Sequence, residues 1–240
     1  MLEGRREMVR WLADRLTVVA TAWLAAGLAS SAFVVWAFIE LADEVVEGES
    51  RAFDRTVLLW IHSTFPGWLE GPMRLVTALG YYWVVLPLLA VAVAIFYRRG
   101  WKLSAILLLV STAGSAVLTT VLKGVFERAR PELFDSGYQA SFYSFPSGHA
   151  TVAVGFYGML TFVLAYLLRG VARWVVAVSG ILVVLLIGFS RLYLGVHYPT
   201  DVLAGYLSAL LWLVCVGAVY ALWLSVRGLR AAEKVGEDTG

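Results

Sequence analysis

The chain has 240 residues, of which 60% are hydrophobic and 15% charged, with a mean hydropathy of +0.79 and a formal net charge of +2. That composition excludes an ordinary soluble globule, and it offers no basic tract for a nucleic-acid partner. The single cysteine, Cys215, sits inside an apolar run, so the sequence holds neither a disulfide framework nor a thiolate metal site.

In chain order, six uncharged stretches have the length that crosses a bilayer as a helix: Leu16–Ile39, Leu75–Tyr97, Leu103–Leu122, Ala150–Leu168, Trp174–Ser190 and Val202–Val226. A soluble helical core would show amphipathic faces instead of such runs. The expected fold is therefore all-α, an integral membrane bundle of six transmembrane helices forming one domain over residues 1–240. The first stretch follows basic residues, but its apolar run continues through Phe38, so it reads as a span and not as a cleaved leader.

The connection from Glu40 to Arg74 opens acidic, with Asp43, Glu44, Glu47 and Glu49. Within it Phe53, Val57, Trp60, Ile61 and Thr64 recur at helical spacing, which predicts an amphipathic helix lying on the membrane surface. Asp54 and Arg55 fall off that apolar face, and His62 has no partner motif and reads as structural. The polar tail after Arg227 is expected to fray. Lys and Arg divide twelve to seven between the two sides of such a bundle, which places both termini in the cytoplasm and the histidine-bearing helix ends outside.

Three polar patches interrupt the apolar pattern. In "KGVFERARP", Lys123 and Arg130 are seven residues apart and so share a helix face, while Glu127 and Arg128 point away as solvent partners. "FPSGH" ends at the start of the fourth span, where a helix N-terminus with unpaired N–H groups, Gly148 and the Ser147 hydroxyl make an anion cup. His149 stands at its edge, in position to exchange a proton with a bound group. In "SRLYLGVHYPTD", Arg191 ends one helix and His197 lies four residues before Asp201 at the start of the next. A ring N–H bonded to that carboxylate fixes the tautomer and prepares the other nitrogen as a nucleophile or base.

Alone, the first patch reads better as a boundary cation cluster and the third as an Asp N-cap, and the second reads as well as a capped helix. In a six-span chain all three lie on the same side of the membrane. Their pooled inventory of Lys123, Arg130, Arg191, two helix starts and two histidines suits a phosphoryl group. With one carboxylate, Asp201, it does not suit a hard divalent metal, so neither metal nor other cofactor is expected.

Lys123-x6-Arg130-Pro131, Pro146-Ser147-Gly148-His149 and Ser190-Arg191-x5-His197-x3-Asp201 together resemble the signature of the type 2 phosphatidic acid phosphatase superfamily, complete and in order. Its members include bacterial phosphatidylglycerophosphate and undecaprenyl diphosphate phosphatases. The resemblance implies that His197 attacks phosphorus and forms a phosphohistidine, with Asp201 orienting its ring. It also implies that His149 protonates the leaving oxygen and then deprotonates water. Lys123, Arg130, Ser147, Gly148 and Arg191 would hold the phosphoryl oxygens. The expected substrate is a lipid phosphate or diphosphate drawn from the bilayer, with water as co-substrate and no obligate protein partner. A transporter or flippase of phosphorylated lipids using the same anion site is the rival reading, disfavoured because the spans carry no midplane charge.

Overall fold

A computed structural model of the chain describes residues 27–134 and 137–237, with side chains through Val219. The described residues are helical or irregular and contain no strand. In chain order the helices are α1 (27–47), α2 (Arg51–Thr64), α3 (Glu70–Ala78), α4 (Tyr82–Arg98), α5 (Lys102–Phe126), α6 (Gly148–Ala153), α7 (Met159–Leu167), α8 (Gly170–Tyr193) and α9 (Pro199–Glu237). A short 3-10 turn, Gly67–Leu69, leads into α3, and the π turn Val154–Gly158 joins α6 to α7 into one rod.

Among the described residues, four helices are long and apolar enough to cross a membrane: Lys102–Phe126, Gly148–Leu167, Gly170–Tyr193 and Pro199–Val219. A fifth candidate is the pair Gly67–Ala78 and Tyr82–Arg98, bent by 46°. The expected span Leu75–Tyr97 is thus broken at residues 79–81. The sequence hides this break because Leu79, Gly80 and Tyr81 carry no charge. The expected first span, Leu16–Ile39, lies partly outside the described residues. Helix α9 remains helical through Glu237, beyond the point where fraying was expected.

The bundle is apolar outside and partly polar inside, the arrangement suited to lipid as solvent. Leu86, Val91 and Ile95 on α4, and Val117, Val121 and Val125 on α5, are exposed. The buried stripe of α5 is Leu108, Ser111, Thr112, Ser115 and Thr119, at helical spacing, and the next position on it is Lys123. The apolar core joins Val85, Leu89 and Phe96 of α4 to Leu108 of α5 and to Phe156, Met159 and Val163 of the α6–α7 rod.

Two features place the functional helix ends. In the π turn, the Gly155 carbonyl accepts a hydrogen bond from Ser111 Oγ, which locks the α6–α7 rod against α5. Tyr157 Oη donates to the Leu79 carbonyl at 2.9 Å and so ties the same turn to the α3–α4 break.

Helix α2 forms as expected, but its inward face is Asp54, Leu58 and Ile61, packed toward α8 and α9. Phe53 and Trp60 are more than half exposed. Of the apolar stripe expected from the sequence, Phe53, Trp60 and Thr64 therefore face outward, while Ile61 faces in beside Asp54.

Candidate active site

Helix α5 stops at Phe126, and Glu127 adopts a left-handed conformation (φ 45°). Lys123 and Arg130 therefore do not share a helix face, as their spacing had predicted. Lys123 ends the buried stripe of α5, whereas Arg130 reaches the same place from an irregular loop. Its Nη1 donates to the Val196 carbonyl (2.7 Å), its Nε to Phe142 (2.8 Å) and its Nη2 to Ser141 (2.8 Å). Lys123 Nζ donates to the carbonyls of Tyr143 and Ser144.

The α6 start follows a cis Phe145–Pro146 bond, and its N-cap is Ser147. Pro146 therefore precedes the cap and does not sit in the first turn. The Ser147 N–H donates to the Asp201 carbonyl at 2.9 Å, joining the second motif directly to the third. Gly205 makes this approach possible, since a Cβ there would stand 2.7 Å from the Ser147 oxygen. Ser147 Oγ does not cap the helix and is buried with no hydrogen-bond partner, as are His149 Nε2 and Arg191 Nε.

Gly195 (φ 65°) turns the chain from α8 toward His197, and a Cβ there would collide with the Phe134 ring. His197 Nδ1 lies 3.3 Å from Asp201 Oδ2, and its Nε2 lies 3.3 Å from Arg130 Nη1. A guanidinium can only donate and an ionised carboxylate can only accept. The ring therefore carries its proton on Nδ1 and keeps the Nε2 lone pair toward the cavity. Burial, then the charges of Arg191, Arg130 and Lys123, hold the His197 pKa well below the usual histidine range, so the ring is neutral.

Six of the expected site residues, Lys123, Arg130, Gly148, His149, Arg191 and His197, line one cavity of about 250 Å³. Ser147 and Asp201 are buried and do not form its wall. Such a cavity can hold an anion among three cations, with one imidazole fixed by a carboxylate and a second whose Nε2 is unengaged.

Sequence reasoning missed several supports. Arg191 Nη1 donates to Thr77 Oγ1 (2.6 Å) and to Tyr138 Oη (3.2 Å), and Tyr138 shares a hydroxyl hydrogen bond with Tyr81. The Tyr81 ring packs edge-on against His149, with centroids 4.7 Å apart. Gly80 makes room for that imidazole, since a Cβ there would lie 2.6 Å from His149 Cδ2. Thr77 lies on the buried face of α3 with Met73, whereas no periodicity marks Gly80, Tyr81 and Tyr138, which come from the helix break and an irregular loop.

Arg128 is the largest correction. It is not a solvent partner: it bridges Asp54 (2.7 Å) and Asp201 (2.7 Å), both fully buried. Burial opposes its charge, but the two carboxylates outweigh burial and raise its pKa. A signal for Asp54 was present, since Asp54, Leu58 and Ile61 are spaced i, i+4, i+7. His62 stacks on Phe134 with centroids 4.0 Å apart and is not among the residues lining the cavity.

A second groove of about 400 Å³ runs between α4 and α5, past Leu86, Leu89, Ala113 and Ala116. It shares the lining residues Tyr81, Gly148 and His149 with the cationic cavity, so the two adjoin there.

The sequence profile of the PAP2 superfamily matches residues 104–224. Phosphatidylglycerophosphatase B of Bacillus subtilis (strain 168) is 37% identical over 149 residues, which are 60% of this chain and 71% of that protein. An undecaprenyl-diphosphatase of Sulfolobus acidocaldarius is 33% identical over 144 residues, covering 58% of this chain and 65% of its own length, just under two thirds. The crystal structure of a transmembrane PAP2-type phosphatidylglycerolphosphate phosphatase from Bacillus subtilis superposes with a TM-score of 0.72 at 28% identity. That superposition covers 80% of this chain and 96% of the other.

Proposed function

The chain belongs to the PAP2 superfamily of lipid phosphatases, and we propose that it removes a terminal phosphate from a membrane lipid phosphate or diphosphate through a phosphohistidine. The substrates named by its relatives, phosphatidylglycerophosphate and undecaprenyl diphosphate, are the leading candidates, with phosphatidate beside them. One observation carries the reading: a cation-lined cavity with His149 and His197 in its wall adjoins an apolar groove between two membrane helices. Phosphate and acyl chain thus each have a compartment, the two meeting at Tyr81, Gly148 and His149. The access path proposed here follows α4 and α5.

In the first step the Nε2 lone pair of His197 forms a bond to phosphorus while the bond from phosphorus to the leaving oxygen breaks. The leaving oxygen takes that bond's electron pair and a proton from His149. The His197 ring keeps its Nδ1 proton toward Asp201 and takes a positive charge. In the second step water attacks phosphorus, His149 accepts the water's proton, and the P–N electron pair returns to Nε2. Lys123, Arg130, Arg191 and the α6 start neutralise the oxygens in both steps.

We propose that no metal takes part. The oxygens of Asp54 and Asp201 are engaged by Arg128, Thr200 and the Tyr198 N–H, and the cations already supply the positive charge. Activity should survive EDTA and fall with vanadate, and loss on chelation with recovery on magnesium would overturn this point.

The deciding experiment is phosphate release by purified protein in detergent from long-chain lipid phosphates and from glycerol phosphate. Expected are release from the lipids at a far higher kcat/KM, and its abolition in His197→Ala at unchanged folding. Equal turnover of glycerol phosphate would remove the lipid assignment. A transporter using the same anion site would release no phosphate at all.

A further inference from the structure

Asp54 and Arg128 lie outside the three motifs, yet they hold the carboxylate behind His197. Asp54 Oδ2 accepts from Arg128 Nη2 (2.7 Å) and from Thr200 Oγ1 (2.7 Å), and its Oδ1 accepts from the Thr200 N–H (3.1 Å). Arg128 Nη1 donates to Asp201 Oδ1 (2.7 Å) and to Thr200 Oγ1 (2.8 Å). The guanidinium also covers the Tyr198 ring at 4.2 Å. Asp201 Oδ2 is left to the Tyr198 N–H (2.8 Å) and to His197 Nδ1 (3.3 Å). One planar cation thus spans two buried carboxylates, Asp54 of α2 and Asp201 of α9, that are 147 residues apart in sequence.

Charge explains why two carboxylates are needed. Arg128 paired with Asp201 alone would form a neutral unit behind the imidazole. Asp54 adds a second negative charge, so the three groups carry a net charge of minus one beside a ring that becomes positive when Nε2 bonds to phosphorus. Burying ionised groups is costly unless each is paired and fully hydrogen-bonded, a condition that the Asp54–Arg128–Asp201 contacts meet. Preorganised charge at the place where charge develops stabilises a transition state without reorganisation.

Resting on the phosphatase reading, we infer that Asp54 and Arg128 are positioning residues. They hold Asp201 against His197 Nδ1 and supply the excess negative charge that stabilises the phosphorylated imidazolium. Helix α2 is thereby part of the catalytic apparatus through Asp54, while its exposed Arg55 is not.

The test compares wild type, Asp54→Asn, Arg128→Lys and an Arg55→Gln control on one lipid phosphate. Asparagine keeps the shape and can still accept from the Thr200 N–H, and lysine keeps the charge but cannot bridge both carboxylates. Expected is a kcat loss of roughly 10- to 100-fold in Asp54→Asn and in Arg128→Lys, the scale seen for partners that orient a metal-bound ligand. KM and inhibition by inorganic phosphate should stay near wild type, because Lys123, Arg130 and Arg191 are untouched. The rate of phosphoenzyme trapping should fall with kcat, and Arg55→Gln should match wild type. Full kcat in Asp54→Asn overturns the inference and leaves the phosphatase reading intact. Parallel loss of KM, kcat and thermal stability in both variants, or failure of both to fold, assigns the pair to structure alone and also overturns it. An inactive wild type removes the phosphatase reading and this inference with it.

Discussion

At the scale of single residues, the site is governed by how one imidazole is kept neutral and correctly protonated. Arg130 on one ring nitrogen and Asp201 on the other leave a single tautomer compatible with both neighbours. Burial and three cations penalise the protonated ring, so the folded pKa is depressed and the neutral, nucleophilic form persists as the pH falls through the ordinary histidine range. The chain has three histidines, so the variant His149→Ala/His62→Gln leaves His197 as the only one. Its ring resonances should then titrate below the usual value of about 6.5, and a midpoint at or above that value would contradict the charge arrangement. The legibility of residues followed the same logic. Lys123, His149, Arg191 and His197 were readable because motif spacing carried them, whereas Arg128 was misread because α5 was extrapolated past Phe126.

At the scale of elements, the α3–α4 break is the feature that most directly shapes chemistry. Gly80 lies in it, and an added Cβ would press on the His149 ring at 2.6 Å. Because the ring also packs against Tyr81, relieving that contact would displace it from its place in the cavity wall. Gly80→Ala should therefore lower kcat, and by far more for an alkyl phosphate than for an aryl phosphate whose leaving group needs no proton. Equal losses on both substrates would show that the break does not position His149. The α4–α5 groove gives a second test. Ala116 is exposed there, and Ala116→Phe should fill the groove without disturbing the core. It should raise KM for long-chain substrates while leaving a short-chain analogue unaffected, and an unchanged KM for both would place the acyl chain elsewhere.

At the scale of the whole molecule, four apolar helices and one bent pair make this a multi-pass membrane protein. The proposed six-span arrangement puts both termini on the cytoplasmic side and the cavity on the outer side, supported by the bias of Lys and Arg along the chain. Cysteine labelling of intact cells tests it. A cysteine introduced at the exposed Arg55 should react with an impermeant reagent, and one introduced at Arg99 in the α4–α5 turn should not. The reverse pattern would invert the topology while leaving the chemistry untouched.

The sequence by itself determined the class of solvent and the cations and imidazoles that line the cavity. Uncharged runs of bilayer length admit little but helices, and three complete motifs are specific where each alone is not. It could not determine which way α2 turns, because Phe53, Trp60 and Leu58 are all apolar and both faces satisfy the same periodicity. Only the tertiary structure decided that, since Asp54 is held inward by Arg128 and Thr200, partners 74 and 146 residues away. The helix break at Gly80 and the loop carrying Arg130 were likewise invisible. Their conformations are fixed by contacts across the bundle, such as Tyr157 to Leu79 and Arg130 to Val196, and local propensity has no access to contacts made at that distance.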